Sequence, residues 1–226
     1  MNTRMIGAGI FGIVGIAILL SLGTWQIKRL AWKESLIAQI EARIHNEPVA
    51  VPEAPVESRD RYTPVLAHGR FTGESVDVLS SQREAGPGMQ VIEVLETDTG
   101  RRLLVDRGYV PEAQRDGLML VSQDVTVTGN LDWPDETDSF TPAPDMGRGL
   151  WFARDPAPIA AVLNAEPFLI IASSDSAAVS PLMTMPMNTV SIKNDHLEYA
   201  MTWFMLAAVW AVMTFALVWR MRRSTV

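Results

Sequence analysis

Cysteine is absent from the 226-residue chain. That excludes disulfides. It also excludes covalent c-type haem attachment, a CxxC redox pair, and thiolate sites for zinc or copper. Histidine is almost as scarce, with three residues. The spacings GxxxxGK[ST], GxSxG and HExxH and the EF-hand loop are missing too, so the chain is not expected to be an enzyme. Lys and Arg number 19 against 26 Asp and Glu and form no long run, so nucleic acid is not an expected partner. The acids are scattered. Glu93 with Glu96, and Asp135 and Glu136 with Asp138, come nearest to acid pairs, and most carboxylates are expected in solvent.

Charge is missing in blocks as well. No charged residue occurs in the 21 residues from Met5 to Trp25, or in the 21 from Tyr199 to Trp219. As a helix each run reaches ~32 Å, against a hydrocarbon core of ~30 Å. The expected fold class is therefore a membrane α+β protein. Transmembrane helices at 5–25 and 199–219 flank an extracytoplasmic, mainly antiparallel β domain with a few helices at 26–198, and a basic tail follows at 220–226. The first run exceeds a signal-peptide core, and Leu20-Ser21-Leu22-Gly23-Thr24-Trp25 offers no small-x-small cleavage site, so it is expected to remain as an anchor. No Arg/Ser-rich presequence precedes it, which points to a bacterial inner membrane.

All 26 acids lie between residues 26 and 198, a segment that nets −11, while Arg4, Arg220, Arg222 and Arg223 leave the tails at +4. Basic flanks favour the cytoplasm, and long loops cross largely regardless of charge. Both termini are expected inside. Lys28, Arg29 and Lys33 crowd the outer end of the first span and pull the other way, and the basic cluster after Trp219 is taken to decide.

Within the middle segment, Trp32, Leu36, Ile40 and Ile44 recur every four residues, so the first span is expected to continue as an amphipathic helix over 26–45. Pro48, Pro52 and Pro55 mark an extended linker. From Val65 to Phe71 the odd positions are the less polar set. Val76–Leu79, Val91–Leu95, Leu103–Val105, the alternating run from Val125 to Trp133, and Phe168–Ile171 read as short strands, and Gly86-Pro87-Gly88 as a turn. Asp155 as N-cap and Pro156 at the first position predict one helix. The spacing predicts a small antiparallel sheet or partial barrel.

Met183, Met185 and Met187 alternate in an extended segment. Thioethers suit Cu(I), although methionine is more often a packing residue. His68 lies on the polar side of its strand, and His45 ends a helix, where the macrodipole suits a cation. His196 is the informative histidine. Asp195-His196-Leu197-Glu198 reads as a capping box, but a capping box does not require histidine. A helix N-terminus disfavours imidazolium and so favours the neutral, metal-binding imidazole. In a two-span hairpin, Trp25, Gln26, Arg29 and Trp32 share a depth with His196, Tyr199 and Trp203. Aromatic faces, a neutral imidazole and an arginine suit a flat amphiphilic cofactor with carboxylates, for which haem is the candidate. The aromatics would cover the macrocycle, and Arg29 could pair with a propionate.

Gly23-Thr24-Trp25-Gln26 with Arg29, Trp32, Lys33, Leu36 and Ile37 resembles the first signature of the Surfeit locus protein one family of cytochrome c oxidase assembly factors. Arg107-Gly108-Tyr109-Val110-Pro111 is similar to its central motif, with Tyr109 where tryptophan is frequent. Asn194 and His196-Leu197, through Tyr199-Ala200 to Thr202-Trp203-Phe204, is similar to its closing motif. Trp151 and Asp155-Pro156 also match. The resemblance implies a role in assembling haem-copper oxidase by aiding haem a delivery or insertion into subunit I, near haem A synthase and the membrane lipid. It makes His196 the candidate axial ligand. Arg107-Gly108-Tyr109-Val110-Pro111 reads as a strand end that serves the fold more than haem contact. Two other readings stand beside this one. One is a scaffold that stabilises subunit I without binding a cofactor; the other, a membrane-anchored enzyme, is opposed by the missing catalytic spacings.

Overall fold

The computed structural model describes residues 3–223 apart from 83–84, 121, 177–178 and 190–191. The last three residues of the expected basic tail lie outside that set. Two compact units emerge, one formed by Met1–Gln39 with Thr189–Val226 and the other by Ile40–Asn188.

The first unit consists of two long helices. Helix α1 runs unbroken over Thr3–Ile44, so the apolar run and the expected amphipathic helix are one element. Helix α5 covers His196–Arg223 and takes in His196, Leu197 and Glu198 ahead of the uncharged run. Both are long and apolar enough to cross a membrane, and only 11% and 6% of their most apolar windows are buried within the protein. A core helix of a water-soluble protein would bury far more, so both fit a membrane protein.

The helices touch along a seam of small residues. A Cβ on Gly12 would sit 2.0 Å from Thr214 Cγ2, on Gly15 2.5 Å from Trp210 Nε1, and on Gly23 2.7 Å from Phe204 Cε1. Ala200 and Ala207 are buried on the opposing helix. Trp210 Nε1 donates to Gly12 O at 3.2 Å, a carbonyl that only a glycine leaves so accessible. Small residues let backbones approach closely, which is how helices associate where lipid removes any hydrophobic drive.

The second unit is a closed, mixed sheet. Its strands are β1 (Val49–Ala50), β2 (Pro64–Gln82), β3 (Gly86–Thr97), β4 (Arg102–Pro111), β5 (Asp124–Asp132), β6 (Leu150–Trp151) and β7 (Leu169–Asp175), with the one-turn helices α2 (Glu57–Asp60) and α3 (Glu112–Arg115) between them. The order β2-β3-β4-β7-β5 returns to β2 through a β2–β5 pairing. Only the β4–β7 pair in that ring is parallel, while β1 and β6 add parallel pairs to β2. The expected partial barrel is therefore a closed ring, and it leaves few open edges.

Closure depends on β2, a single 19-residue strand where the sequence suggested two. Its first half pairs with β5 and its second with β3. The ladder shifts between Phe71 and Ser75, around Gly73 at φ +83°. Such a bulge bends the strand, and only glycine adopts that backbone cheaply. The Gly86-Pro87-Gly88 turn is displaced: these residues open β3 and pair with Gln82, Ser81 and Ser80. The odd positions of the first half of β2 and of β5 point inward, joining Leu95, Leu103, Val105, Ile170 and Phe168 in the barrel core. Outside, Ile159 and Ala160 of helix α4 (Pro156–Leu163) pack with Trp151 on Val76, Val78, Ile92 and Leu104. Asp155 precedes α4 as expected, but its carboxylate does not cap the helix. It accepts instead from the backbone N–H of Glu136 and Thr137.

Burial of charge is the largest departure from expectation. The ladder shifts again between Val91 and Ile92, leaving Arg107 as the extra residue on β4. Arg107 is fully buried over the Phe71 ring, with Nη1 2.7 Å from Glu93 Oε2 and Nε 3.1 Å from Asp175 Oδ2. Two acids expected in solvent are thus held inside by one guanidinium. Asp106, next along, is also buried. It accepts from Gly108 N at 3.0 Å and from Gln90 Nε2 and Arg154 Nη1 at 3.4 Å. Burial pushes its carboxyl above the usual range, and Arg154 opposes that shift.

Two outcomes follow. Arg107→Met should lower stability by about 3–5 kcal/mol, because both carboxylates lose their partner while still buried. A urea midpoint read by tryptophan fluorescence checks this, and an unchanged midpoint would refute it. Asp106 holds its proton longer folded than unfolded. Its contribution to stability is therefore greatest in acid and falls as pH rises through the carboxylate range to the raised value. The difference in urea midpoint between wild type and Asp106→Asn should carry that slope.

Candidate functional site

The helix pair brings His196 and Gln26 together, 170 positions apart in the chain. His196 Nδ1 lies 2.7 Å from Gln26 Oε1. An amide oxygen only accepts, so Nδ1 carries the hydrogen and the imidazole is oriented as the Nδ1–H tautomer. In a neutral ring this leaves Nε2 as the acceptor, the arrangement that positions a histidine ligand. His196 is half-buried and Gln26 is buried at 9% exposure, so the pair is partly shielded from competing water.

Around this pair the remaining candidates divide. Arg29 lies over the Trp32 ring, 3.8 Å from its centroid, in a cation–π contact. Trp25 and Tyr199 are each 56% exposed, and Trp203 is half-buried. These three rings make no ring–ring contact among the described residues. They nonetheless share a side. Gln26 and Ala200 face across the helix pair. At about 100° per residue, Trp25, Arg29 and Trp32 turn to one side of α1. Because α5 is antiparallel, His196, Tyr199 and Trp203 turn to the same side of α5. The arrangement is an open aromatic face beside one oriented imidazole.

Polar groups gather at the same end. Lys33 Nζ donates to Lys193 O. Lys193 pairs with Asp195 at 2.6 Å, and that carboxylate holds the ammonium above its usual range. The expected capping box is thus replaced, among the described residues, by an Asp195–Lys193 pair. Tyr199 N donates to Asp195 O at 3.2 Å. Asn194 Oδ1 is buried with no hydrogen-bond partner among the described residues, an acceptor that water or a ligand hydroxyl would satisfy.

The other histidines and the methionines lie elsewhere. His68 is exposed, as expected, and shares a hydrogen with Thr126 Oγ1 at 2.9 Å. His45 reaches Glu41 at 3.2 Å. Met183 is 43% exposed while its backbone bridges Tyr109, whereas Met187 packs on the cluster beneath α4. The three thioethers do not present a common face. No group of three or more His, Cys, Asp or Glu side chains converges among the described residues. A bare ion would find one histidine here. A macrocycle that brings its own equatorial nitrogens needs only that one. The donor set, the aromatic face and the neighbouring cations therefore fit a haem better than a bare metal.

The central motif belongs to the barrel. Arg107-Gly108-Tyr109-Val110-Pro111 forms the end of β4, as expected, with the strand running longer than Leu103–Val105. Gly108 takes φ +119°, and a Cβ there would sit 2.0 Å from Met183 O, so only glycine fits. Tyr109 is buried and donates to Gly86 O at 2.9 Å. Sequence reasoning missed Gln26 as the partner of His196. The signal available was an amide directly after the uncharged run, at the depth already shared with His196.

Comparison with known proteins identifies the class first: the SURF1 family model matches residues 13–208. The chain belongs to the SURF1 family. It is 34% identical to Surfeit locus protein 1 of Xenopus tropicalis, over 83% of this chain and 68% of that protein. Identity to Surfeit locus protein 1 of Homo sapiens is 31%, over 86% and 72% respectively. The SURF1-like protein of Monosiga brevicollis is 30% identical, over 83% and 78%.

The hydrogen bond itself is testable. Nitrogen NMR of the histidine-labelled chain should find His196 as the Nδ1–H tautomer, and Gln26→Leu should give a tautomer mixture. The same spectrum from both proteins would remove Gln26 from its orienting role.

Proposed function

We propose that the protein is an assembly factor for haem-copper cytochrome c oxidase that holds haem a and passes it to subunit I. The observation that carries this reading is the His196–Gln26 pair, which leaves Nε2 free beside the shared face of Trp25, Tyr199 and Trp203. The sequence resemblance to oxidase assembly factors and the family membership support it.

The residues divide the work by their chemistry. His196 Nε2 would ligate the iron, and Gln26 fixes its direction. Trp25, Tyr199 and Trp203 would offer the macrocycle one shared aromatic face. Arg29 and Trp32 act as a stacked pair whose guanidinium edge can meet a propionate, and Lys28 and Lys33 add positive charge nearby. When bound, haem a supplies the redox-active iron centre required by the oxidase. No step of this role requires catalysis, so the reading is a chaperone and not an enzyme. An open face and one protein ligand suit release as well as capture.

The reading sets the protein in a bacterial inner membrane with both termini cytoplasmic, on the charge asymmetry between tails and middle segment. The barrel unit is then extracytoplasmic. Subunit I is the receiving partner, and haem A synthase the supplier. The alternative is a scaffold that stabilises subunit I with no cofactor of its own.

Titration of the detergent-purified chain with haem a separates the two. Wild type should give a saturable, red-shifted absorption band that His196→Ala loses. Gln26→Leu should weaken binding by about 10–100-fold, the usual cost of removing a partner that orients a ligand. No band in any of the proteins, with co-purification of subunit I intact in His196→Ala, would favour the scaffold.

A further inference from the structure

Below the aromatic face the helix pair opens into a groove of about 470 Å³, lined by Ile18 and Leu19 of α1 and Leu206, Val209, Trp210 and Met213 of α5. Gly15 gives the groove its depth, because the Trp210 ring occupies the space a side chain there would need. The lining is almost wholly apolar. Trp210 has one polar atom, and it is committed to Gly12 O.

Position distinguishes this groove from ordinary lipid-facing surface. Leu19 lies roughly 11 Å along α1 from Gln26, and Leu206 roughly 15 Å along α5 from His196. The helical rotation that turns Trp25, Tyr199 and Trp203 to one side also turns Ile18, Leu206 and Trp210 to that side. The groove is thus the inward continuation of the face that carries the imidazole, at the distance where a long substituent on a ring seated there would run. At the outer end lie aromatic rings, cations and the imidazole; toward the interior there is only hydrocarbon. An amphiphile that matches both ends has a flat, carboxylate-bearing head and a long apolar tail.

We propose that this groove receives the isoprenoid tail of a farnesylated haem whose ring occupies the His196 face. The proposal rests on the haem reading above. The tail supplies selection, since a haem without it engages only the outer half of the site. Burial of the tail adds affinity for the modified haem without a second iron ligand, which leaves the ring free to depart when the tail is withdrawn.

The test uses the full chain in lipid nanodiscs and two probes, haem o, which carries the tail, and haem b, which has a vinyl group in its place. Absorption titrations are run on wild type, Leu206→Trp, which fills the groove, and His196→Ala. Wild type should bind haem o at least about tenfold more tightly than haem b, the return of packing the tail closely in a preformed groove in place of lipid chains, since lipid removes any hydrophobic drive. Leu206→Trp should erase that preference and leave haem b binding unchanged, and its unchanged haem b affinity also shows that it is folded. Equal affinity of wild type for both haems overturns the proposal, as does a preference that survives in Leu206→Trp. In either case the haem site stands if His196→Ala loses both bands. If wild type binds neither haem, the underlying reading fails and the tail site goes with it.

Discussion

Everything at the helix pair depends on the close approach of α1 and α5 at Gly12, Gly15 and Gly23. At each of these positions a partner side chain occupies the space a Cβ would need. A methyl group at any of them would push the helices apart. The His196–Gln26 hydrogen bond, at 2.7 Å, has no slack for such a shift. The seam also sets the rotation of each helix. That rotation carries Trp25 and Trp203 to one side and gives the groove beside Trp210 its depth. Packing, ligand orientation and apolar volume are therefore consequences of one contact surface.

The barrel unit has its own organising contact. Arg107 is placed inside by a bulge and is held there by Glu93, Asp175 and the Phe71 ring. Such a cluster is a poor source of net stability, since three charges leave water. What it does is tie β3, β4 and β7 together at one point of the ring, and Phe71 adds β2. The Gly108 backbone beside it lets the chain pass against Met183. The central motif is thus a structural device of the barrel, in keeping with the sequence reading that set fold above haem contact.

Much of the fold was legible. The uncharged runs, the amphipathic extension and the alternation from Val65 to Phe71 and from Val125 to Trp133 are periodic signals, and the structure keeps them. Boundaries failed where tertiary pairing overrides local pattern. Val65–Phe71 and Val76–Leu79 merge into β2 because a bulge at Gly73 joins two ladders, and a bulge has no periodic signature. Gly86-Pro87-Gly88 lies in a strand although its composition is that of a turn. Most carboxylates were expected in water, and the burial of Glu93, Asp106 and Asp175 was not legible because nothing in a linear sequence shows where their cationic partners lie.

The sequence by itself determined that two helices are long and apolar enough to cross a membrane, that a β-rich segment lies between them, and that a lone histidine stands at the start of the second. Composition and period carry that information, because hydrophobic length and alternation are local properties. Only the tertiary structure decided that Gln26 orients His196, that the three aromatic residues share a side, and that the sheet closes through the first half of a bent strand. Those outcomes depend on helix rotation and strand register, which are set by steric fit between segments far apart in the chain.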